Sequence, residues 1–342
     1  MIWRRLAICA FGLMLAQASA VAQSAAEFFK GKTIKLFVGA SVSGGYSAHG
    51  RMVARYMTKH LPGNPAIIVQ NMPAGAGISA TNHVFNIAEK DGTEWGLFNR
   101  YTLPAPLLGV TQAKYDPRKF NWIGTTAGYS DNAYVFIVRS ALPIHTIEDL
   151  RTANPPLNVG NIGAAPIRIL AETLGLKLNV ITGYQGDALD MAFERGEVDG
   201  HTVGYLTIKA TKPHWLEQNL ARIMIQFGRA DRLPLLKDVP TARELALTPA
   251  DRQLLEFTEA PIMIGYPFAM PPGVPAERVA AVRKAFDDTM ADKDFQADMQ
   301  RANLEFTPKT GAEIAALVDQ LATTPQRVLD RYRAIAGDQS EH

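Results

Sequence analysis

The residues with the clearest chemical potential lie in a glycine- and serine-rich segment, residues 41–47 (SVSGGYS). The segment follows an apolar run over residues 33–39 that is typical of a strand, and a helical pattern begins at Tyr46. Small residues let a ligand approach the backbone, and free N–H groups at a helix start attract an anion such as a carboxylate. An ordinary turn in which Ser47 caps the helix is the alternative. This loop taken alone does not separate the two interpretations.

A second small-residue loop, residues 72–77 (MPAGAG), forms with Ala80 a G-x-G-x-x-A pattern. The dinucleotide motif that this pattern resembles also needs an acidic residue at the end of a following strand. Asp91 lies at about the required distance, but within a Lys-Asp-Gly sequence that is typical of a turn. A tight turn that lines a cleft is therefore the better interpretation.

Two further loops, residues 160–166 (GNIGAAP) and 183–187 (GYQGD), each follow an apolar run and precede a helical pattern. In open parallel sheets, ligands collect at the carboxyl ends of strands, where such loops lead into helices. Two helix-start loops from different halves of the chain can hold the two ends of a small anion. The repetition favours a binding site over a set of ordinary turns.

Residue patterns typical of catalysis are absent from the sequence. The seven histidines include no H-E-x-x-H pair and no spacing suited to zinc. Ser41 lies in Gly-Ala-Ser-Val-Ser, which lacks the second glycine of a nucleophile elbow. His49 and His60 lie near one face of the first predicted helix, as a surface or packing pair would. His201 remains a candidate because its strand is predicted to end near residues 183–187, although a buried packing histidine is the commoner case.

The alternation of apolar runs with helical spacings predicts an α/β protein with parallel sheets covered on both faces. A helix is predicted over residues 46–61, and two amphipathic helices follow a proline-rich break at residues 271–275. We expect two α/β lobes and a helical C-terminal segment. The predicted strands are residues 33–39, 66–70, 95–98, 122–125, 134–138, 157–160, 179–182, 223–227 and 262–266.

Residues 1–22 have the layout of a secretory signal peptide: Arg4 and Arg5, a short apolar run, and A-x-A cleavage sites after Ala20 and Ala22. The apolar run is about half of the roughly 20 residues that a membrane span needs. The only cysteine also lies in this segment, so thiol chemistry is excluded from the remainder. Without its two arginines the chain is formally neutral, with 33 acidic residues and the rest of the 35 basic ones. The neutral charge excludes the basic excess of nucleic-acid-binding proteins. The signal peptide predicts a protein that acts outside the cytoplasm.

In the order of its motifs, the chain resembles the Bug-type extracytoplasmic solute receptors of tripartite tricarboxylate transporters. The resemblance runs from residue 31 to about residue 334, and its specificity comes from the ordered set together with the signal peptide. The motifs are residues 44–51 (GGYSAHGR), 69–77 (VQNMPAGAG), 90–93 (KDGT), 160–166 (GNIGAAP), 183–200 (GYQGDALDMAFERGEVDG), 238–244 (DVPTARE) and 269–279 (AMPPGVPAERV).

The resemblance implies a two-lobed periplasmic binding protein of type II-like architecture, with the ligand cleft between the lobes. Residues 23–128 and 255–342 are expected to form lobe 1, and residues 129–254 lobe 2. The implied function is capture of a small organic carboxylate and its delivery to the membrane permease subunits of a tripartite transporter. We expect a monomer without cofactor, metal, nucleic-acid partner or enzymatic activity.

The family grips carboxylates through the loop after the first strand and the loop matching residues 161–166, largely by backbone N–H groups and water. The loop matching residues 184–187 completes the pocket. Asp187 is expected to face a hydroxyl, an amine or water, because beside a bare carboxylate it would repel. The predicted ligand-binding residues are Ser43, Gly44, Gly45, Tyr46, Ser47, Asn161, Gly163, Ala164, Ala165, Tyr184, Gly186, Asp187 and His201.

Two departures from the family pattern leave the identity of the ligand open. Ser47 stands where the family usually has Asp, and Tyr266 stands where similar members usually carry Arg before Pro267. Two other classes of function also remain: a secreted α/β hydrolase-type enzyme, and a ligand-sensing receptor for a signalling partner. The sequence offers no recognisable nucleophile, base and oxyanion hole for the hydrolase, and it does not separate sensing from transport.

Overall fold

The computed structural model describes residues 24–128, 132–161, 164–184 and 187–337. The predicted signal peptide, residues 1–22, lies outside the described residues. The described part of the chain forms two mixed α/β sheets with helices packed on them, which confirms the predicted two-lobed α/β class.

The first sheet has strand order β11-β4-β10-β3-β1-β2, and the second has β7-β6-β8-β5-β9. The strands of the first sheet are β1 (Thr33–Val38), β2 (Ala66–Asn71), β3 (Glu94–Leu97), β4 (Asn121–Thr125), β10 (Pro267–Met270) and β11 (Lys309–Thr310). Those of the second sheet are β5 (Tyr134–Arg139), β6 (Leu157–Gly160), β7 (Leu178–Ile181), β8 (Gly200–Gly204) and β9 (Ala221–Phe227).

Most longer helices begin where the sequence supplies a cap or a break. Thr310 and Glu313 form a capping box at the last helix of the first sheet, and Thr146 and Asp149 form another. The α-helices are α1 (Ala25–Phe29), α2 (Gly45–Met57), α3 (Ile78–Asn86), α4 (Ile147–Thr152), α5 (Ala164–Leu174), α6 (Asp187–Arg195), α7 (Tyr205–Thr211), α8 (His214–Glu217), α9 (Ala242–Leu245), α10 (Pro249–Ile264), α11 (Ala276–Ala291), α12 (Lys293–Arg301), α13 (Gly311–Ala322) and α14 (Gln326–Ala336).

The strands are not all parallel, so the expectation of parallel sheets is wrong in part. β1 is parallel to β2 and β3, and β6 is parallel to β7 and β8. In contrast, β10 is antiparallel to β3 and β4, and β5 is antiparallel to β8 and β9. β5 and β10 are the strands that the chain enters on crossing from one sheet to the other. Each starts at the crossing edge and therefore runs opposite to the strands that end there.

The strand predicted over residues 262–266 is wrong, because these residues end α10 and form its link to β10. The run Ile-Met-Ile is apolar because the end of α10 is largely buried. A short apolar run does not by itself distinguish a buried strand from a buried helix end. The real strand, β10, begins at Pro267, one residue beyond the predicted segment.

The hydrophobic core continues from one sheet to the other. One apolar cluster includes Trp122 of the first sheet and Phe136 of the second, joined by residues of α10, α13 and α14. α13 packs on β4, whereas α14 packs on α5 and α10 beside the second sheet. The division at residues 128/129 and 254/255 stays a prediction. No helix among the described residues combines the length and the hydropathy that a membrane span requires.

Candidate ligand cleft between the two sheets

The loops that could bind a ligand gather at the edge where the chain crosses between the sheets. β4 ends at Thr125 shortly before the crossing, and β5 begins at Tyr134 shortly after it. β1, β2 and β3 run in the same direction as β4, and β6 to β9 run opposite to β5. The carboxyl ends of β1 to β4 and of β6 to β9 therefore face the crossing, and α/β sheets bind ligands at the carboxyl ends of their strands.

The loop after β1 leaves the start of α2 open. Gly44 is the N-cap residue and no side chain caps the helix, so the alternative in which Ser47 caps it is wrong. The N–H groups of the first turn have no partners within the helix, and the positive end of the helix dipole lies behind them. Ser43 and Gly45 are exposed at this point. The first turn of α2 can therefore accept an anion.

Ser47 lies beneath the loop rather than in the opening. Its side chain is 0% exposed, and its hydroxyl oxygen accepts hydrogen bonds from Arg51 Nη1 at 2.7 Å and from Asn71 Nδ2 at 3.0 Å. Arg51 also donates to the carbonyl of Val42, and Asn71 donates to the carbonyl of Ala40. Ser47 thus holds the loop, α2 and the end of β2 together, and its hydroxyl is directed into the lobe.

Tyr46, His49 and Tyr266 form an aromatic cluster beside the start of α2. The ring of Tyr266 stacks on His49 at a centroid distance of 3.9 Å and meets Tyr46 edge to face at 4.8 Å. A Cβ atom added to Gly45 would lie 3.4 Å from the Tyr266 hydroxyl. Burial lowers the pKa of His49 to about 3, so this ring is neutral, and its Nδ1 lies 2.8 Å from Thr126 Oγ1. His49 therefore packs within this aromatic cluster and does not pair with His60, which contacts Asp292.

Arg100 follows β3 at the same edge, and the sequence analysis missed it. Its backbone N–H donates to the Tyr46 hydroxyl at 3.1 Å. Its guanidinium carbon lies 5.9 Å from the centre of the Tyr266 ring and 5.4 Å from that of Tyr101. The signal in the sequence is Asn-Arg-Tyr directly after the strand predicted over residues 95–98, because ligands collect at the carboxyl ends of such strands.

Glu305 links the two halves of the cleft and was also missed. It lies in the loop after α12, on the side of the first sheet, and its Oε1 accepts a hydrogen bond from Thr207 Oγ1 of α7 at 2.8 Å. Burial raises the pKa of Tyr134 to about 12. The Glu305 carboxylate adds to this rise and the Arg100 guanidinium opposes it. No local motif predicts this arrangement, because it depends on residues almost 100 positions apart.

The second sheet contributes the loops after β6 and β7, at the positions the sequence predicts. Asn161 is 9% exposed, and its backbone N–H donates to the carbonyl of Ile181 at 2.9 Å. Ala165 is buried in the first turn of α5, and Tyr184 is half-buried close to Gly160. Ala164 and Asp187 are the first residues of α5 and α6. Gly163 and Gly186 lie outside the described residues.

The loop over residues 72–77 is a structural turn. Gly77 has a φ of +94°, and an added Cβ atom would lie 2.5 Å from the carbonyl oxygen of Gly39 at the end of β1. The side chain of Asn99 donates to the carbonyl of Ala76 at 3.1 Å. The glycines thus allow the loops after β1, β2 and β3 to pack together, which agrees with the interpretation as a tight turn.

His201 lies in β8 with its ring inside an aromatic cluster. The ring meets Phe193 at 5.0 Å and Trp215 at 5.5 Å, both edge to face, and the residue is 1% exposed. Burial lowers its pKa to about 4. Direct contact between this ring and a ligand would require the cluster to open, so the commoner packing role fits the geometry. Its predicted place in the site stays a prediction.

The described residues contain no group of three or more His, Cys, Asp or Glu side chains that could hold a metal ion. Among these residues, the cleft groups able to bind a ligand are the α2 start, Arg100, Glu305 and the tyrosines around them. The arrangement suits non-covalent recognition of a small polar molecule.

No family model matches the chain. In sequence, it is 29% identical over 260 residues to a Cupriavidus necator protein named "UPF0065 protein in gbd 5'region", covering 71% of this chain and 73% of that protein.

Solved structures of solute-binding proteins have the same fold. A TctC solute-binding protein from Polaromonas superposes with a TM-score of 0.67 at 21% identity, covering 88% of this chain and 98% of the other. The periplasmic binding protein BugD gives 0.61 at 21% identity, covering 89% and 98%. MatC from Rhodopseudomonas palustris, solved with bound malate, gives 0.59 at 19% identity, covering 90% and 99%. The resemblance is confirmed at the level of the fold: the chain has the two-lobed fold of the TctC and Bug solute-binding proteins.

Proposed function

We propose that this chain is a periplasmic receptor of the Bug type that captures a small organic carboxylate between its two lobes. It then delivers the ligand to the membrane permease subunits of a tripartite tricarboxylate-type transporter. It acts as a monomer, without a cofactor or enzymatic activity. The lobes meet near residues 128/129 and 254/255, and the distribution of the strands between the two sheets supports this division.

The observation that carries the proposal is the open start of α2 at the edge where both sheets end. Gly44 and Gly45 leave its first N–H groups accessible, and no side chain caps them. The guanidinium carbon of Arg100 lies 5.9 Å from the centre of the Tyr266 ring, which also stacks on His49. Backbone donors at a helix start, a cation and an aromatic surface together suit a carboxylate attached to a small organic body.

The similar proteins support this proposal over an enzyme. MatC was solved with malate, a small carboxylate, and the TctC protein is a solute-binding protein. Among the described residues of the cleft, the neutral His49 and buried Ser47 are bonded to Thr126, Arg51 and Asn71 rather than to each other. They do not form the nucleophile and base that a hydrolase needs. A sensing role would use the same cleft with a different membrane partner.

The test is a thermal-shift screen of the ligand-free protein against carboxylates, amino acids and neutral sugars. A ligand present at a hundredfold its Kd stabilises the fold by about 2.7 kcal/mol. We expect a shift with one chemical group of carboxylates. Gly45→Leu should abolish it, because the new side chain would extend from a Cβ position 3.4 Å from the Tyr266 hydroxyl into the opening.

Two variants serve as controls. Gly45→Ala adds only the Cβ atom, at an ordinary contact distance, and should keep most of the binding. Ala276→Leu places leucine at another exposed helix start, that of α11, and should bind like the wild type. Unchanged affinity in Gly45→Leu would remove the α2 start from the site, and a shift with sugars alone would contradict carboxylate capture.

A further inference from the structure

The cleft carries charges of both signs around its tyrosines. Arg100 lies on one side, with its guanidinium carbon 5.9 Å from the Tyr266 ring and its backbone N–H bonded to the Tyr46 hydroxyl. Glu305 approaches from the loop after α12 and is fixed by Thr207 of the second lobe at 2.8 Å. Two residues further on, the Thr307 hydroxyl donates to the carbonyl of Gly128 at 2.6 Å, so one cation and one carboxylate lie at the edge where the chain crosses between the sheets.

The phenol groups respond to both charges. The pKa values of Tyr134 and Tyr266 are raised first by burial, further by the Glu305 carboxylate, and are lowered by the Arg100 guanidinium. Tyr134 begins β5 of the second sheet, and Tyr266 precedes β10 of the first. Hydrogen bonds place Glu305 at the same edge of the sheets. It lies two residues before Thr307, whose N–H donates to the carbonyl of Thr126 at 3.1 Å. Thr126 Oγ1 in turn lies 2.8 Å from Nδ1 of His49, the ring that stacks on Tyr266.

This charge pattern disfavours a ligand that carries only carboxylates. A carboxylate near Arg100 and the α2 start gains charge-assisted hydrogen bonds. A second carboxylate near Glu305 would be repelled, and it would meet the electron-rich faces of the tyrosines. An ammonium group in that position is attracted by the Glu305 carboxylate and by the aromatic faces.

We propose that the site selects small amino carboxylates, with the carboxylate held by Arg100 and the start of α2 and the ammonium group held by Glu305. This inference rests on the proposed function and names the substrate class of the same cleft. Glu305 is then the residue that determines specificity. Thr207 is a positioning residue, because its hydroxyl holds the Glu305 carboxylate in place.

The experiment compares ligand pairs that differ only in the amine: L-aspartate with succinate, and L-phenylalanine with 3-phenylpropionate. Calorimetric titration of the ligand-free protein gives the Kd of each compound. In the wild type, for at least one pair, we expect the amino acid to bind at least about tenfold more tightly than its partner. In Glu305→Gln the ratio should fall to about threefold or less, because the amide keeps the shape but loses the charge.

Glu277→Gln is the matched control, because Glu277 is an exposed acid in the first turn of α11. It should keep the wild-type ratio. Thr207→Val keeps the charge of Glu305 and removes only the hydrogen bond, so it should weaken binding of the amino acid while the preference for it persists. Far-ultraviolet circular dichroism checks that each variant is folded.

The outcomes separate this inference from the proposed function. If carboxylates bind and neither amino acid binds more tightly than its partner, carboxylate capture stands and the amino-carboxylate inference is wrong. A full preference retained in Glu305→Gln would equally remove Glu305 from this role. If the wild type binds none of the four compounds nor any other carboxylate, the proposed function fails and the inference fails with it.

Discussion

Ser47 illustrates how a single residue can lie in a predicted binding loop and still act within the lobe. Its hydroxyl accepts hydrogen bonds from Arg51 and Asn71, and these two side chains also bind the carbonyls of Val42 and Ala40. The loop after β1 is therefore fixed by these hydrogen bonds, while no side chain caps the N–H groups at the start of α2. A Ser at this position keeps the loop rigid without adding a negative charge to the anion site.

Ser47→Ala is expected to lower the free energy of unfolding by about 0.5–1.5 kcal/mol, because it removes the buried oxygen that accepts hydrogen bonds from Arg51 and Asn71. Ser43→Ala, in the same loop but exposed, should change it by less than about 0.5 kcal/mol. Urea unfolding of both variants measures the difference. Equal midpoints would show that the network under the loop contributes little to stability.

At the scale of elements, the link between α10 and β10 sets the geometry of the crossing. Gly265 has a φ of +72°, and a Cβ atom there would lie 1.6 Å from the carbonyl oxygen of Ala127 on the outgoing crossing. The next N–H group, that of Tyr266, donates to the same carbonyl at 3.1 Å and to Thr125 Oγ1 at 2.9 Å. The two crossings are therefore in direct backbone contact, and only glycine fits at this point.

Gly265→Ala should destabilise the protein by on the order of 3–5 kcal/mol, since the added methyl group forces the two crossings apart. Gly31→Ala is the matched control: its φ is +71° and no atom lies within 4 Å of the added Cβ atom. It should cost about 1 kcal/mol, from backbone strain alone. Chemical denaturation compares the two. Similar decreases in the free energy of unfolding for the two variants would mean that the crossings separate easily, which would contradict a tight backbone contact between them.

For the molecule as a whole, each lobe contains a buried neutral histidine. His49 belongs to the first lobe and His201 to the second, and each is 1% exposed. Their pKa values, lowered by burial to about 3 and about 4, mean that the unfolded chain binds these protons more readily than the folded one. Their stabilising effect is complete above the ordinary pKa of about 6.5 and is lost as the pH falls below it.

Between pH 7.5 and pH 5, each of the two histidines should account for a loss of about 2 kcal/mol in the free energy of unfolding. His201→Leu should make the decrease shallower by about this amount, whatever its effect at pH 7.5. Asp190 lies 4.0 Å from His201 Nε2 and can reduce the difference by stabilising the charged ring. Urea unfolding at pH 7.5 and pH 5 measures the decrease in the free energy of unfolding, and His145→Leu, at an exposed histidine, is the control. A pH dependence in His201→Leu identical to that of the wild type would contradict the prediction.

The sequence was sufficient for the features that depend on local pattern. Periodicity, glycine content and capping residues predict the strand and helix around residues 33–57, the amphipathic helices α11 and α13, and the small-residue loops at strand ends. Residues 72–77 were predicted to form a turn because no acidic residue stands at the end of the following strand, where a dinucleotide motif needs one. These features depend on neighbours within a few positions, and local interactions act on them directly.

Only the tertiary structure decided which side chains face each other across the cleft. Four features depend on the way the chain crosses between the two sheets: the direction of β5 and β10, the contact of Gly265 with Ala127, the burial of Ser47 and His201, and the hydrogen bond of Glu305 with Thr207. The same local sequence is compatible with several such crossings. The packing of the whole chain selects one of them, because the apolar surfaces of both sheets and of α10, α13 and α14 must be buried together.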